Sequence, residues 1–261
     1  MNDSMEPAHP FYQPKNVKTL TIVIPTLNEV DNVGPLITKL EQVLQPISWS
    51  ALFVDDSSTD GTYELLRTLA FDRPHIQAIC RIGRKGLSSA CIEGMGTAKS
   101  TYIAVMDADL QHDEHLLQPM LALMESDRLD LVAASRFLRG GSVGPLSARR
   151  ALMSRIANAL SARLCGVRMS DPMSGFFMIR RSLFHEVYPG LLGHGTKILL
   201  DIITAARRPM RCAELPLRFR ERFRGESKLD AQVMWEFLHL LGQKTLRRLV
   251  PPPTDRQVAK F

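Results

Sequence analysis

Five short apolar runs alternate with longer segments of helical periodicity in the first half of the chain, and this alternation limits the fold more than any other feature. The runs predict β-strands at residues 19–24, 51–54, 76–80, 102–106 and 129–134. Pro25 is expected to end the first strand, because proline cannot donate a ladder hydrogen bond. Strands that alternate with helices form a parallel sheet covered on both faces. We therefore predict an α/β fold with a doubly wound, mixed but mainly parallel sheet flanked by helices.

Polar residues collect immediately after the predicted strands, at residues 26–29, 55–60, 107–111 and 135–136. The carboxyl ends of parallel strands share one edge of an open sheet, and ligands bind at that edge. No G-x-G-x-x-G follows the first strand and no Walker sequence occurs, so the two common phosphate-binding loops are missing from the sequence. A phosphate at this edge must then be held by a metal ion and by side chains.

The stretch YIAVMDADLQHD at residues 102–113 carries the strongest local signal. If the backbone stays extended past the strand, Asp107, Asp109 and Gln111 point to one side. Two carboxylates and an amide oxygen form a hard ligand set that suits Mg²⁺ or Mn²⁺. The alternative is a strand followed by a polar turn, in which Asp107 or Asp109 caps a helix at residues 116–124.

The net charge of +6 conceals two halves of opposite sign. Residues 1–135 hold 10 Lys or Arg and 18 Asp or Glu, whereas residues 136–261 hold 23 and 9. An acidic half suits metal binding, and a basic half suits anions or a membrane surface. A non-catalytic polyanion-binding protein is an alternative, but aromatic residues for base stacking are not interleaved with the basic ones, so we expect no nucleic-acid partner.

The sequence contains no apolar core of signal-peptide type at its start and no run of 18 apolar residues. The four cysteines show no C-x-x-C spacing, which favours a reduced compartment. We expect a cytoplasmic protein that is soluble or lies on a surface.

The second half of the chain predicts further elements. We expect helices at residues 146–164, 184–188, 198–206 and 234–249, strands at 176–179 and 211–217, and a basic loop at 219–228. The helices at 146–164 and 234–249 are amphipathic and basic, so they can lie in an anionic membrane interface or pack on the sheet.

Taken together, the polar clusters form a series of recognisable motifs. In chain order they are IPTLNE at 24–29, VDDSSTDG at 54–61, GL at 86–87, MDADLQH at 106–112, SRF at 135–137, DPMSGF at 171–176 and RFRGESK at 222–228. This series, which covers most of the chain from about residue 20 to 230, resembles the family 2 glycosyltransferases of GT-A fold, and within them the polyprenol-phosphate sugar transferases. The G-E-S-K element separates this branch from processive polysaccharide synthases, whose Q-x-x-R-W motif is missing here.

The resemblance implies a domain organisation. Residues 1–18, which contain three prolines and show no periodicity, are expected to be a flexible tail, and the resemblance implies that residues 19–230 form the GT-A domain. Within that domain, residues 19–135 bind the nucleotide sugar and residues 136–230 bind the acceptor. An amphipathic helix at 231–250 and a tail at 251–261 follow.

The resemblance also implies the reaction and its residues. A hexose, mannose from GDP-mannose in the first instance, is transferred with inversion to a polyprenyl or dolichyl monophosphate. Asp109, Arg136 and Arg222 are the expected catalytic residues, and the metal ligands are the three named above. The expected donor-binding residues are Pro25, Leu27, Glu29, Val54, Asp56, Asp107, Ala108, Asp109, Arg136, Arg222 and Lys228. Arg136, Arg150 and Ser174 are expected at the acceptor phosphate. Solvent-facing positions, rather than contact with the phosphates, are expected for Arg218, Arg220 and Arg224.

The same resemblance places the enzyme on the cytoplasmic face of a membrane as a peripheral protein. Alternatives remain within the enzyme class: UDP-glucose or another donor, or an acceptor that is not a lipid. Leu27 stands where the family usually has tyrosine, which removes an aromatic contact to the nucleotide. The sequence leaves open whether a membrane-anchored partner subunit is needed.

Overall fold

The computed structural model describes residues 19–142 and 169–220, which form a seven-stranded sheet with helices on both faces. The strands are β1 (Leu20–Thr26), β2 (Trp49–Asp55), β3 (Ile76–Cys80), β4 (Tyr102–Val105), β5 (Leu131–Ser135), β6 (Phe177–Arg180) and β7 (Cys212–Pro216). The α-helices are α1 (Val30–Val43), α2 (Thr62–Asp72), α3 (Leu87–Thr97), α4 (Leu117–Ser126), α5 (Arg181–Val187) and α6 (Ile198–Ala205), and one-turn 3-10 helices cover Glu114–Leu116 and Tyr188–Gly190.

One strand of the sheet runs against the others. The order is β3-β2-β1-β4-β6-β5-β7, and β6 pairs antiparallel with both β4 and β5 while the remaining pairs are parallel. The carboxyl ends of the six parallel strands therefore share one edge, which we call the carboxyl edge. Because β6 is reversed, its first residue lies at this edge. The predicted mixed, mainly parallel sheet is confirmed.

Two apolar layers sandwich the sheet. Alternate residues of β1 face opposite layers, so that Ile22 packs with residues of α1, α2 and α4, whereas Val23 packs with α3, α5 and α6. Such burial on both faces explains why the strands are almost continuously apolar in sequence. Gly94 of α3 is essential to this packing, because a Cβ there would overlap the side chain of Val23 and lie 3.0 Å from Val54 Cγ2.

Most predicted elements agree with the structure, and α1 and β3 have the predicted bounds. Pro25 was expected to end β1, but this prediction was wrong, because the strand continues to Thr26 and Pro25 pairs with Val54 of β2. Its missing N–H faces the β4 side, where the β4 ladder has already ended at Val105, so no ladder bond is lost.

Helix α5 begins at Arg181 rather than at Phe184. The predicted helices at 146–164 and 234–249, and the two tails, lie outside the described residues. Within 19–142 and 169–220, no helix combines the length and apolar character needed to cross a bilayer.

Candidate functional site

The acidic segment after β4 bends instead of staying extended. Strand β4 ends at Val105, and Leu110 adopts a left-handed conformation with φ of 63°. Simple alternation along an extended chain is therefore wrong for Asp107, Asp109 and Gln111. Asp109 is buried, and its Oδ1 accepts the Gln111 N–H at 3.2 Å. Neither aspartate caps the following helical turn, since Asp113 does so by accepting the His115 N–H.

Gln111 is joined to the end of the described chain at Arg220. The Arg220 N–H donates to Gln111 O at 3.0 Å, and Gln111 Nε2 donates to Arg220 O at 3.1 Å. These two bonds turn the amide so that Oε1 faces away from the Arg220 carbonyl. They also bring the start of the basic segment to the acidic segment.

A second acidic group follows at Asp113, Glu114 and His115, whose ligand atoms lie within 4.8 Å of one another. The Arg220 guanidinium donates to Asp113 and to Glu114, both at 2.6 Å, and Lys39 lies 3.4 Å from Glu114. Two cations already neutralise the two carboxylates, so this group is a poor site for a metal ion. Arg220 was expected to face solvent; its side chain is 36% exposed, and its guanidinium is at the same time paired with both carboxylates.

The residues around Asp107 fit a divalent cation. Carboxylate and amide oxygens are hard ligands of the kind that Mg²⁺ and Mn²⁺ prefer. Gly175, in the loop that enters β6, leaves space beside the carboxylate. A Cβ at this position would lie 3.2 Å from Asp107 Oδ2 and 3.4 Å from His112 Cε1. The loop that enters the reversed strand β6 thus places a glycine beside the proposed metal ligand at the carboxyl edge.

Arg136, which follows β5, forms a two-pronged ion pair with Asp171. Nε donates to Oδ2 at 2.7 Å and Nη2 donates to Oδ1 at 2.9 Å. Asp171 is fully buried, and its own N–H donates to Glu214 at 3.1 Å. Sequence reasoning missed this pair, although both residues belong to recognised motifs. Among the described residues, Nη1 of Arg136 has no hydrogen-bond acceptor. The guanidinium therefore lies at the carboxyl edge with its charge balanced by Asp171.

Phe219 connects the two parts of the site. Its ring lies 5.7 Å from the His112 ring and 5.9 Å from the Arg136 guanidinium carbon. Ser174, predicted at the acceptor phosphate, is buried, and its hydroxyl exchanges hydrogen bonds with the backbone of Phe176. The structure therefore brings the segments of Asp107, Arg136 and Ser174 together, as their motifs predict, while the role of each in binding stays a prediction.

The loops after β1 and β2 are joined by hydrogen bonds. Asn28 N–H donates to Ser58 Oγ at 2.8 Å, and Val30 N–H donates to Asp60 Oδ2 at 3.1 Å. Partial burial acts to raise the pKa of Asp60, but the Thr62 hydroxyl and the Val30 and Thr62 N–H groups outweigh it and lower the pKa below its usual value. These polar side chains therefore hold the two loops together at the carboxyl edge, since their hydrogen bonds are made within the protein.

Among the predicted donor-binding residues, Asp56 already has partners inside the protein. Its Oδ1 accepts from the buried Arg81, and its Oδ2 accepts the Gly86 N–H at 2.7 Å. Arg81 also donates to Ser89 at 2.6 Å and to Glu93 at 3.2 Å. Sequence reasoning missed Arg81, although it directly follows strand β3, and polar residues that directly follow strands were the signal for the other residues of the carboxyl edge.

The remaining predicted donor residues differ in exposure. Glu29 Oε2 accepts from Asn32 Nδ2 at 2.6 Å. Val54 and Ala108 are buried, whereas Pro25 and Leu27 are partly exposed. Burial, followed by the negative charges of Asp107 and Asp56, raises the pKa of the Cys91 thiol. Helix α3 therefore lies within electrostatic range of both carboxylates. Arg150, Arg222 and Lys228 lie outside the described residues.

Comparison with known structures shows the fold. The chain superposes on glucosyl-3-phosphoglycerate synthase of Mycobacterium tuberculosis, solved with Mn²⁺, UDP and phosphoglyceric acid, with a TM-score of 0.63, 18% identity, and coverage of 91% of this chain and 80% of that one. Mannosyl-3-phosphoglycerate synthase of Rubrobacter xylanophilus gives a TM-score of 0.60 at 18% identity, over 89% and 74% of the two chains. The predicted GT-A architecture is confirmed.

Comparison of sequences shows closer relatives. The chain is 34% identical over 221 residues to the dolichol-phosphate mannosyltransferase of Pyrococcus furiosus, covering 84% of this chain and 61% of that protein's length. It is 32% identical to the enzyme of the same name from Mycosarcoma maydis, over 90% and 82% of the two chains, and 30% identical to that of Saccharomyces cerevisiae, over 85% of each.

The pattern of Glycosyl transferase family 2 matches residues 21–188, which include every motif of the first half and the loop that enters β6. With this match and these relatives, the chain belongs to glycosyl transferase family 2 and is a glycosyltransferase.

Proposed function

We propose that this protein transfers mannose from GDP-mannose to dolichyl or a related polyprenyl monophosphate at a membrane surface, with inversion at the anomeric carbon. The observation that supports the proposal most is identity of 30–34% to three dolichol-phosphate mannosyltransferases over most of the chain. The chemistry of the site is consistent with this reaction, because an acidic segment that suits a metal ion and a guanidinium group that suits a phosphate lie at the same edge of the sheet.

In the proposed site, Asp107, Asp109 and Gln111 hold a divalent ion, Mg²⁺ or Mn²⁺. When bound, the ion supplies Lewis-acid stabilisation of the departing nucleoside diphosphate. The bend at Leu110 and the hydrogen bonds of Gln111 to Arg220 orient this segment without help from the ligand. Gly175 keeps the space beside the Asp107 carboxylate open.

The acceptor needs cations more than it needs a base. The second pKa of a phosphate monoester is about 6, so the lipid phosphate is largely a dianion at neutral pH. Two unit charges about 4 Å apart repel by roughly 4 kcal/mol at an effective dielectric constant of about 20. Arg136, Arg150, Arg222 and Lys228 are the proposed cations, with Ser174 as a further contact to the acceptor phosphate.

The contacts of Arg136 and Arg220 refine this scheme. Asp171 balances the charge of Arg136, so Arg136 orients a phosphate more than it neutralises it. The larger electrostatic share then falls to Arg222 and Lys228. Arg220, which precedes Arg222 by two positions in the sequence, is hydrogen-bonded to Gln111 of the acidic segment.

A donor and acceptor screen tests the function. The full chain is incubated with Mn²⁺, dolichyl phosphate in detergent, and either GDP-[¹⁴C]mannose or UDP-[¹⁴C]glucose, and radioactivity in the organic phase is counted. We expect a lipid product from GDP-mannose, at least tenfold less from UDP-glucose, and loss of product in Asp109→Asn but not in Asp113→Asn. A lipid product from UDP-glucose at an equal rate, or none from either donor, would refute the assignment.

The membrane surface is tested separately by co-sedimentation with vesicles. We expect binding to vesicles with 30% phosphatidylserine and much weaker binding to pure phosphatidylcholine, because basic surfaces are attracted to anionic lipid. Equal sedimentation with both, together with full activity on a short water-soluble prenyl phosphate, would remove the membrane from the proposal. It would leave the sugar transfer intact.

A further inference from the structure

His112 is a buried histidine with a defined hydrogen-bond role beside the acidic segment. It is 3% exposed, and the Asp107 N–H donates to its Nδ1 at 3.1 Å. A backbone N–H can only donate, so Nδ1 is the unprotonated acceptor and the proton of the neutral ring is on Nε2. This one contact therefore sets the tautomer and leaves Nε2 as the nitrogen that carries the proton.

The second nitrogen faces the side chain of the same aspartate. His112 Nε2 lies 3.7 Å from Asp107 Oδ2, beyond hydrogen-bond distance but with its N–H edge toward the carboxylate. The imidazole thus contacts Asp107 at its backbone and at its carboxylate. Fixing a side chain in advance lowers the entropy cost of binding a ligand to it.

The imidazole ring is itself held in place by aromatic neighbours. It stacks on Phe176 at a centroid distance of 5.2 Å and an angle of 19°, and its edge meets the ring of Phe219 at 5.7 Å. On the carboxylate side lies Gly175, which has no Cβ; a Cβ there would lie 3.4 Å from His112 Cε1. The ring has little room to tilt, so its orientation is transmitted to Asp107.

We infer that His112 is a positioning residue, which holds the Asp107 carboxylate in the direction that binds the divalent ion. The inference rests on the proposed metal site at Asp107, Asp109 and Gln111. Groups that orient a metal ligand through hydrogen bonds and packing typically change metal affinity by about 10- to 100-fold when they are removed. His112 needs no contact with the sugar or with either phosphate to act in this way.

Substitution of His112 by phenylalanine separates this role from packing. His112→Phe keeps a flat aromatic ring between Phe176 and Phe219 but removes both nitrogens. The dissociation constant for Mn²⁺ is measured from the free-ion signal in electron paramagnetic resonance, with GDP present and the full chain in solution. We expect an increase of about 10- to 100-fold, and we expect transfer to recover when Mn²⁺ is raised to saturation.

A second variant and a matched control complete the test. His112→Asn retains an acceptor near the position of Nδ1 but not the ring, and we expect an affinity between those of the parent and His112→Phe. His115→Phe makes the same change three residues further on, at an exposed histidine that contacts Asp113, and should leave Mn²⁺ affinity within twofold of the parent.

The outcomes distinguish the inference from the proposed function. The inference is overturned if either folded variant of His112 binds Mn²⁺ as tightly as the parent while Asp107→Asn does not. If Asp107→Asn binds Mn²⁺ normally, or if His115→Phe loses the ion, the proposed metal site itself is wrong. If His112→Phe does not fold, the decision passes to His112→Asn, for which parental affinity refutes the positioning role.

Discussion

Removal of the Arg136 side chain should destabilise the fold as well as impair the reaction. In Arg136→Ala, the fully buried Asp171 loses two charge-assisted hydrogen bonds of 2.7 and 2.9 Å, and of its bonds from residues that the structure describes it keeps only the longer one from the Arg136 N–H at 3.3 Å. Breaking a buried ion pair by removing one partner costs about 3–5 kcal/mol. Because the backbone bond survives, we expect the lower end, about 3 kcal/mol.

Urea unfolding at pH 7, followed by circular dichroism, measures this free energy. The double variant Arg136→Ala/Asp171→Asn removes the unpaired charge, so its loss of stability should be smaller than the sum of the single losses by about 2 kcal/mol. Arg67→Ala, at an exposed position of α2, serves as the matched control and should stay within about 0.5 kcal/mol of the parent.

Two results would refute the reasoning about this pair. One is a loss below about 1 kcal/mol in Arg136→Ala, which would mean that the carboxylate finds another partner or water. The other is strict additivity in the double variant, since residues in direct contact should show coupling. If the prediction is confirmed, activity lost in Arg136→Ala must be corrected for the unfolded fraction before it is assigned to phosphate binding.

Further changes test the packing and the ion pairs elsewhere in the described chain. Gly94→Ala should lower the free energy of unfolding by about 1–3 kcal/mol, because its Cβ would overlap Val23. In the same helix Gly96→Ala, with no neighbouring atom within 4 Å, should raise it by up to about 1 kcal/mol, and equal melting temperatures would contradict both expectations. Arg220→Ala should cost about 2 kcal/mol in urea, since the buried Glu114 loses its 2.6 Å donor, and retention of full stability would show that Lys39 suffices. The Arg208 hydrogen bonds hold the pKa of Asp130 below its usual value. The Asp130 carboxylate therefore stabilises the fold above its unfolded-state pKa of about 4, and this contribution disappears as the pH falls through the pKa of the folded state. The difference in urea midpoint between the parent and Asp130→Asn should therefore shrink below about pH 4. A difference that stayed constant with pH would argue against the Asp130–Arg208 pair.

The sequence predicts the sheet well because its signals are local. Helix α1 and strand β3 have the predicted bounds, since apolar periodicity and flanking polar residues define each within one segment. The continuation of β1 through Pro25 depends on where the neighbouring strand β4 ends, and that is a tertiary property. Likewise, the reversed direction of β6 is set by the neighbours with which it pairs.

The site is less predictable because its contacts join distant residues. Asp56 is followed by a polar loop, so the sequence suggests that its carboxylate is available to a ligand. In the structure, Arg81, 25 residues further on, donates a hydrogen bond to this carboxylate. Period-two alternation fails beyond Val105 because residues 108–110 bend and Leu110 takes a positive φ, which no apolar pattern predicts. The acidic residues are recognisable in the sequence from their chemistry, and their role in metal binding stays a prediction, whereas the contact of His112 with Asp107 depends on how this segment bends.

The arrangement of the sheet also offers a way to immobilise the protein. The segments that contain Asp107, Arg136 and Gly175 all lie at the carboxyl edge, whereas the connections that lead into the parallel strands lie at the opposite edge. Residues 73–75, between α2 and β3, are one such connection and include the exposed Pro74. A biosensor tether attached there would lie at the edge opposite the proposed site and would leave the carboxyl edge accessible to an added vesicle.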